Sequence, residues 1–473
     1  MRDQASRRET IAVRDEPIPR DEPLSLSLRG GMILAALLTP FGSTSIAVAL
    51  PGIGRELGAG RAELNLWLVV SYLLVAIAGQ GPGGRLGDRI SHERALLAGL
   101  GLHAIGALLG LFAAGLPGLA AARVLAAIGG AVALPAAMAL IRTRVPAARR
   151  ARLFGLLGGA LGLAAAIGPP VAARLVAQFG WRSLFVFNLP WVMLAALLVA
   201  RPARRARPRS REERRPAADL VGTLLLVAGL APIVIAVTPS SGHGSGTPGR
   251  EFGTSAVIAV LAGLLLLALF VAWERRAAAP VFDVALFRRP AFTAGSGVIA
   301  LQNLAMYGIL FLLPASAATT AASTGSRAGG AETLLFAMLA GLVVGPPLGG
   351  RLVEREGPRM TALCGSFLTI VGLLIAHGLE PGGALPEALL GLFLVGLGLG
   401  IASAPAQASA LDAAAAGSAG TAAGTLSTMR YLGGLAGIAL INAVPGAPAL
   451  QHAWLAATGT AALLSLRLPG RVA

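Results

Sequence analysis

The sequence predicts an all-α protein that threads a lipid bilayer many times. Three observations carry this: 55% of the 473 residues are hydrophobic, only 13% are charged, and apolar runs continue almost from end to end. Soluble domains carry about 25% charged residues, and a single aqueous core stops growing at roughly 250–300 residues. The solvent for this much apolar surface is therefore lipid.

A spanning helix needs about 20 mostly apolar residues, at 1.5 Å rise each across a hydrocarbon core near 30 Å. By that criterion fourteen windows qualify: 30–51, 66–84, 95–116, 119–141, 152–174, 183–200, 219–238, 254–273, 292–314, 333–350, 360–378, 385–408, 420–444 and 450–467. Residues 1–29 precede them as a polar, proline-interrupted arm expected to be disordered.

The formal net charge of +17 resembles that of a nucleic-acid binder, but its distribution argues otherwise. Every basic residue is Arg, and the arginines cluster in alternate short loops. Examples are Arg85, Arg89 and Arg94, then Arg142 to Arg152, then Arg201 to Arg215, then Arg351, Arg355 and Arg359. This is the positive-inside pattern, which places these loops and both termini in the cytoplasm. Loop 12–13 is the exception, with Asp412 and no Arg. The partners expected are lipid and a small-molecule substrate; nucleic acid is not.

One loop occurs twice. Gly84-Arg85-Leu86-Gly87-Asp88-Arg89-Ile90-Ser91-His92-Glu93-Arg94 follows the second window, and Gly350-Arg351-Leu352-Val353-Glu354-Arg355-Glu356-Gly357-Pro358-Arg359 follows the tenth. The repeat divides the chain into a six-helix half (30–200), a basic loop (201–218), two inserted helices and a following loop (219–291), and a second six-helix half (292–473). Parallel halves around a midplane site are the architecture of alternating-access carriers. In such a loop glycine permits close helix approach, and the acid can meet arginines or a helix N-terminus across the seam. Gly84, Asp88, Arg89, Arg94, Gly350, Glu354, Arg355 and Arg359 are therefore the candidate conformational latch. The bland alternative is that these charges only set topology.

The repeated loop resembles that of the major facilitator superfamily. Other stretches resemble its fourteen-span drug:proton antiporter branch (EmrB/QacA type): the run from Phe41 to Pro51 in the first span, Trp67 to Tyr72 in the second, Trp181 to Pro190 at the sixth, and Arg430 to Gly434 in the thirteenth. The resemblance covers about residues 30–445. It implies a major-facilitator-type fold of two six-helix halves plus two inserted central helices, and export of drugs or amphipathic metabolites against protons across the bacterial inner membrane. The sequence also departs from the branch. Gly42 stands where the first-span motif begins with an acid, Ala47 replaces an asparagine, and Ala126 and Ala127 replace a glutamine and a glycine. The fold inference is untouched by these changes; the basis for proton coupling is reduced. A transport-incompetent scaffold or sensor on the same fold is the alternative.

No Asp or Glu lies deep within any window. The coupling and cavity candidates are therefore His103, Arg123, Arg430, Tyr72, Gln302, Asn303 and Tyr307. A charge at mid-membrane costs at least about 2.5–3.5 kcal/mol on insertion scales, so Arg430 should face the bundle interior and find carbonyls, hydroxyls or water. Arg123, nearer a helix end, can also snorkel. A lone helical His is more often packed than functional, and polar side chains in lipid often serve only to join helices. Gly168 and Pro169 form a candidate helix-bend motif, since proline removes one helix hydrogen bond. The five histidines lack metal-ligand spacing, the single Cys364 excludes an internal disulfide, and the glycine runs lack a phosphate-binding lysine. Neither enzyme chemistry nor a cofactor is expected.

Overall fold

The structure is a computed structural model, and it describes residues 24–206, 219–237, 254–277, 280–324, 329–376, 385–415, 417–443 and 447–470. Most of the expected polar arm (1–23) and of the basic loop (207–218) lie outside the described residues.

The chain is helical throughout these segments. α1 (Leu26–Leu57) begins four residues before the expected window, because the Ser25 hydroxyl accepts the Leu28 amide at 3.3 Å and so caps the helix N-terminus. Gly58, in left-handed geometry, ends it. The second window is not a continuous α-helix. After the short α2 (Arg61–Leu64), it runs through a π-helical stretch (Asn65–Val70) and α3 (Ser71–Ala78) into α4 (Gln80–Ile90). π-Helical stretches of this kind frequently mark functional positions.

Then follow α5 (His92–Leu111), α6 (Leu116–Arg144), α7 (Ala147–Phe179), α8 (Ser183–Arg205), α9 (Leu220–Val237) and α10 (Thr254–Glu274). A 3₁₀ turn (Val284–Arg288) leads to α11 (Pro290–Thr324), α12 (Gly329–Ile375), α13 (Leu385–Asp412), α14 (Ala419–Ala443) and α15 (Ala447–Ser465). α12 is two helices in one run, broken at Gly357 (φ 80°) just before Pro358. α7 continues through Gly168, Pro169 and Pro170 to Phe179.

Apart from residues at the window ends, the described residues of every expected window are helical, although the second window is broken and the tenth and eleventh share α12. By length and apolar composition, however, nine helices among the described residues qualify as membrane-crossing, or ten if the bent first helix is one span. Beyond that bent helix, four windows make up the shortfall: α12 holds two of them in one run, α9 is short, and α14 and α15 fall below the apolarity required. α14 is rich in Gly, Ser and Thr and carries Arg430, and α15 carries Gln451, which donates to the Leu373 carbonyl at 2.7 Å. Small and polar residues lower apolarity while improving helix contact in lipid.

That contact is backbone to backbone at the main seams. A Cβ added at Gly155 would lie 2.3 Å from the Pro346 carbonyl oxygen, and one at Gly162 would lie 2.8 Å from that of Leu342, so α7 and α12 touch without intervening side chains. α14 meets α11 in the same way, through Gly433 against Ala300 and Gly437 against Leu304. α9 and α10 approach each other at Gly229 and Gly263. They join the bundle through Leu226, Leu230 and Phe270, packed near Ile77 and Ala78, while Ile258, Leu261 and Leu265 point outward.

Candidate functional site

The repeated loop recurs as geometry. Ser91 and Gly357 occupy the same position in the two copies, and both have positive φ (141° and 80°). For the non-glycine Ser91 this is a strained conformation; its hydroxyl accepts the Arg94 amide at 3.3 Å and starts α5. Arg94 then donates to the carbonyls of Ala203 (3.4 Å) and Ala206 (3.1 Å) at the end of α8. In the second copy Arg359 donates to the carbonyl of Leu468, just past α15, at 3.0 Å. Both arginines thus hold a helix C-terminus in place, where cations are favoured.

The two loop glycines are matched as well. Gly84 presses on the start of α14, where an added Cβ would lie 2.0 Å from the Gly420 carbonyl oxygen. Gly350 presses on the start of α7, where the corresponding distance to the Ala151 carbonyl oxygen is 2.6 Å.

The acids are not matched. Asp88 is fully buried and closes on the N-terminus of α14: Oδ1 accepts the Gly420 amide at 2.8 Å, and Oδ2 accepts the Thr421 amide and hydroxyl, each at 2.7 Å. Glu354 and Arg355 are exposed, as is Arg89. The acid therefore meets a helix N-terminus, one of the two expected partners, and meets it in the first copy alone. Of the eight latch candidates, Gly84 and Asp88 contact α14 and Gly350 contacts α7; Arg94 and Arg359 secure other helix ends.

Three more arginines gather beside this contact. Arg142 donates to the Leu411 carbonyl at 2.9 Å and lies 3.4 Å from Asp412; Arg150 pairs with Asp412; Arg289 donates to the Ala413 carbonyl. Residues 418–428 are buried, whereas Met429 to Leu432 are half-buried. The bundle is thus sealed at the end that carries the repeated loops.

Above the seal lie the interior polar groups, in two clusters. In the first, Arg123 is 4% exposed and sits with its guanidinium carbon 4.0 Å from the Tyr72 ring centroid. It donates to the carbonyls of Gly42 (2.8 Å) and Leu68 (3.3 Å). His103 is buried beside it. The Leu68 carbonyl belongs to the π-helical stretch.

In the second cluster Arg430 donates to the Gln407 side-chain oxygen at 2.7 Å, and Tyr307 packs on Gly434, one turn further along α14. The third tyrosine of the chain, Tyr431, follows Arg430 on α14 and packs against the cluster of Ile77, Ala78 and Leu226. Asn303 is turned back onto its own helix, donating to the Ile299 carbonyl at 2.8 Å, and Gln302 is buried on α11. Gln407 and Tyr431 had not been singled out from sequence. The rarity of tyrosine was a usable signal for the second; Gln407 had none. Among the described residues no group of three or more His, Cys, Asp or Glu side chains is placed to hold a metal ion.

The sequence pattern of the Major Facilitator Superfamily matches residues 32–438. The chain belongs to this superfamily of multi-pass membrane transporters. It is 30% identical over 417 residues to the MFS-type transporter YvkA of Bacillus subtilis, covering 88% of this chain and 89% of that one. It is also 30% identical over 417 residues to the multidrug resistance protein Stp of Mycobacterium tuberculosis, covering 87% and 73%. Among solved structures, the human organic anion transporter MFSD10 superposes with a TM-score of 0.64 at 16% identity, over 93% of this chain and 99% of that one. This last likeness is one of fold.

Proposed function

We propose that this MFS transporter is a secondary exporter of small amphipathic molecules, working by alternating access between α1–α8 and α11–α15, with α9 and α10 inserted between them. The observation that carries the reading is the Asp88 cap on α14. It is a bond between the two helix sets that rocking must break, set beside backbone seams that can separate without pulling side chains apart. In this reading all fourteen helices span, the basic loops and both termini are cytoplasmic, and the structure is the outward-facing state. The multidrug resistance relative Stp supports export.

The clusters above the seal suggest what is carried. Arg123 and Arg430 face inward, and among the described residues no carboxylate pairs with either. A permanent cation entering there would meet like charge without a counter-ion, at a large desolvation cost. Neutral and anionic amphipaths are therefore the preferred substrates, with the half-buried Tyr307 offering an aromatic face. With Gly42 in place of an acid, no carboxylate stands at mid-depth in a span among the described residues, which leaves His103 or an edge acid, such as Glu63, Asp412 or the buried Glu274 at the end of α10, for any coupling.

Efflux of matched neutral, anionic and quaternary ammonium probes, from cells and from proteoliposomes with and without a pH gradient, tests this. Export of the first two, with the third largely retained, is expected. Strong pH-driven export of the quaternary compound alone would reverse the charge assignment, and no export of any probe would favour a scaffold or sensor. The topology has its own check: tags at both termini and between α8 and α9 should all report cytoplasm. A terminus reached only from outside would rule out fourteen spans.

A further inference from the structure

Beside Arg123, residues of α1, α5, α6 and α8 line a partly open cavity of about 30 Å³, among them Gly42, Ser45, His103, Arg123 and Asn188. Such a space holds a particle the size of a water molecule or a halide; an amphipathic substrate does not fit. Its walls offer donors. Arg123 spends Nε and Nη1 on two backbone carbonyls, and among the described residues its Nη2 makes no hydrogen bond. Asn188, 8% exposed, spends one amide N–H on the Leu184 carbonyl and keeps a second. The Ser45 hydroxyl is 2% exposed and has no hydrogen-bond partner among the described residues.

No acid lines the cavity, although it contains a buried guanidinium. Two carbonyl dipoles and a ring face supply only partial charge, which leaves a full positive charge in a low-dielectric interior. The position from which a carboxylate could neutralise it is vacant: a Cβ added at Gly42 would meet nothing within 4 Å, while the Gly42 carbonyl already touches Arg123.

We propose that this cavity is a binding site for one small monovalent anion, of which chloride is the abundant example, held by Arg123, Ser45 and Asn188 as the missing counter-charge. The anion stands where a first-span carboxylate would otherwise sit, so the site needs no substrate and no transport to fill.

The test is equilibrium binding of radiolabelled chloride to the purified full-length protein in nanodiscs, in gluconate buffer, with thermal unfolding followed in parallel. Saturable binding of one chloride per chain is expected, displaced by bromide and by formate but not by gluconate, with a melting temperature that rises as chloride is added. Gly42→Asp should abolish both effects in a folded protein, because its tethered carboxylate fills the site. Ser45→Ala should weaken binding about ten-fold, the loss expected for one hydrogen bond to a charged ligand. Arg123→Gln should remove binding; should that variant not fold, the other two still decide. No saturable chloride binding to the wild type, or unchanged affinity in Gly42→Asp, would overturn the proposal. Efflux plays no part in this measurement, so its failure leaves the export reading standing; a filled site would leave the selection against cations to Arg430.

Discussion

Asp88→Asn is expected to reduce efflux to near background while leaving expression and membrane insertion close to wild type. Asparagine is nearly the same size, so packing is retained. It cannot satisfy the same three donors, however, because its NH₂ group must face either the Gly420 amide or the Thr421 pair. The change removes charge-assisted hydrogen bonds worth about 1.5–3 kcal/mol and a favourable charge at a helix N-terminus worth about 0.3–2 kcal/mol. A combined loss near 3 kcal/mol shifts an equilibrium roughly a hundred-fold, here away from the state in which α14 is closed on α4. Whole-cell efflux, corrected for protein in the membrane, measures it. Wild-type efflux in this variant would remove the role assigned to the cap.

Gly84→Ala should be at least as damaging, by a different physical route. Its Cβ would lie 2.0 Å from the Gly420 carbonyl oxygen, and the obstacle is backbone, which cannot rotate aside. α4 and α14 must separate by about 1 Å or more to restore van der Waals contact, near 3.5 Å. The Asp88 bonds at 2.7–2.8 Å would then be stretched beyond useful length. The variant should therefore populate a state in which α4 and α14 have parted, seen as faster labelling of cysteines placed in α14 between 420 and 428. Because both substitutions break one contact, Gly84→Ala combined with Asp88→Asn should be scarcely worse than Gly84→Ala alone. Unchanged labelling would mean that the seam tolerates the methyl group and does not work by close approach.

The helices and the repeated loop were legible because they are written in long apolar runs and in a recurring order of glycine, acid and arginine. The repeat even locates two equivalent backbone turns, at Ser91 and Gly357. The partner of Asp88 was less legible. A helix N-terminus attracts anions through peptide N–H groups, which every residue but proline carries, so no letter in Gly420 or Thr421 announces it. Gln407 escaped for a related reason: a neutral amide within an apolar helix reads as helix-joining glue until an arginine from another helix is seen on it. The helix count stayed uncertain where close packing and apolarity part company, as in glycine-rich α14. Loop 12–13 carries no arginine of its own in the sequence, but arginines stand against it in space. Arg142, Arg150 and Arg289 arrive from elsewhere and settle on Leu411, Asp412 and Ala413.

That turn between α13 and α14 has a consequence for how such proteins can be recombined. Its charges are borrowed: the negative end of α13 and Asp412 are answered by arginines encoded as much as 270 positions away, and the positive end of α14 by an aspartate further off still. The turn and its distant partners therefore form one heritable unit. A chimaera joined between α8 and α11 would keep Asp412 while exchanging Arg142, Arg150 and Asp88 for whatever the donor supplies. Such hybrids should close only when the donor carries the same set, whatever the overall identity of the two parents.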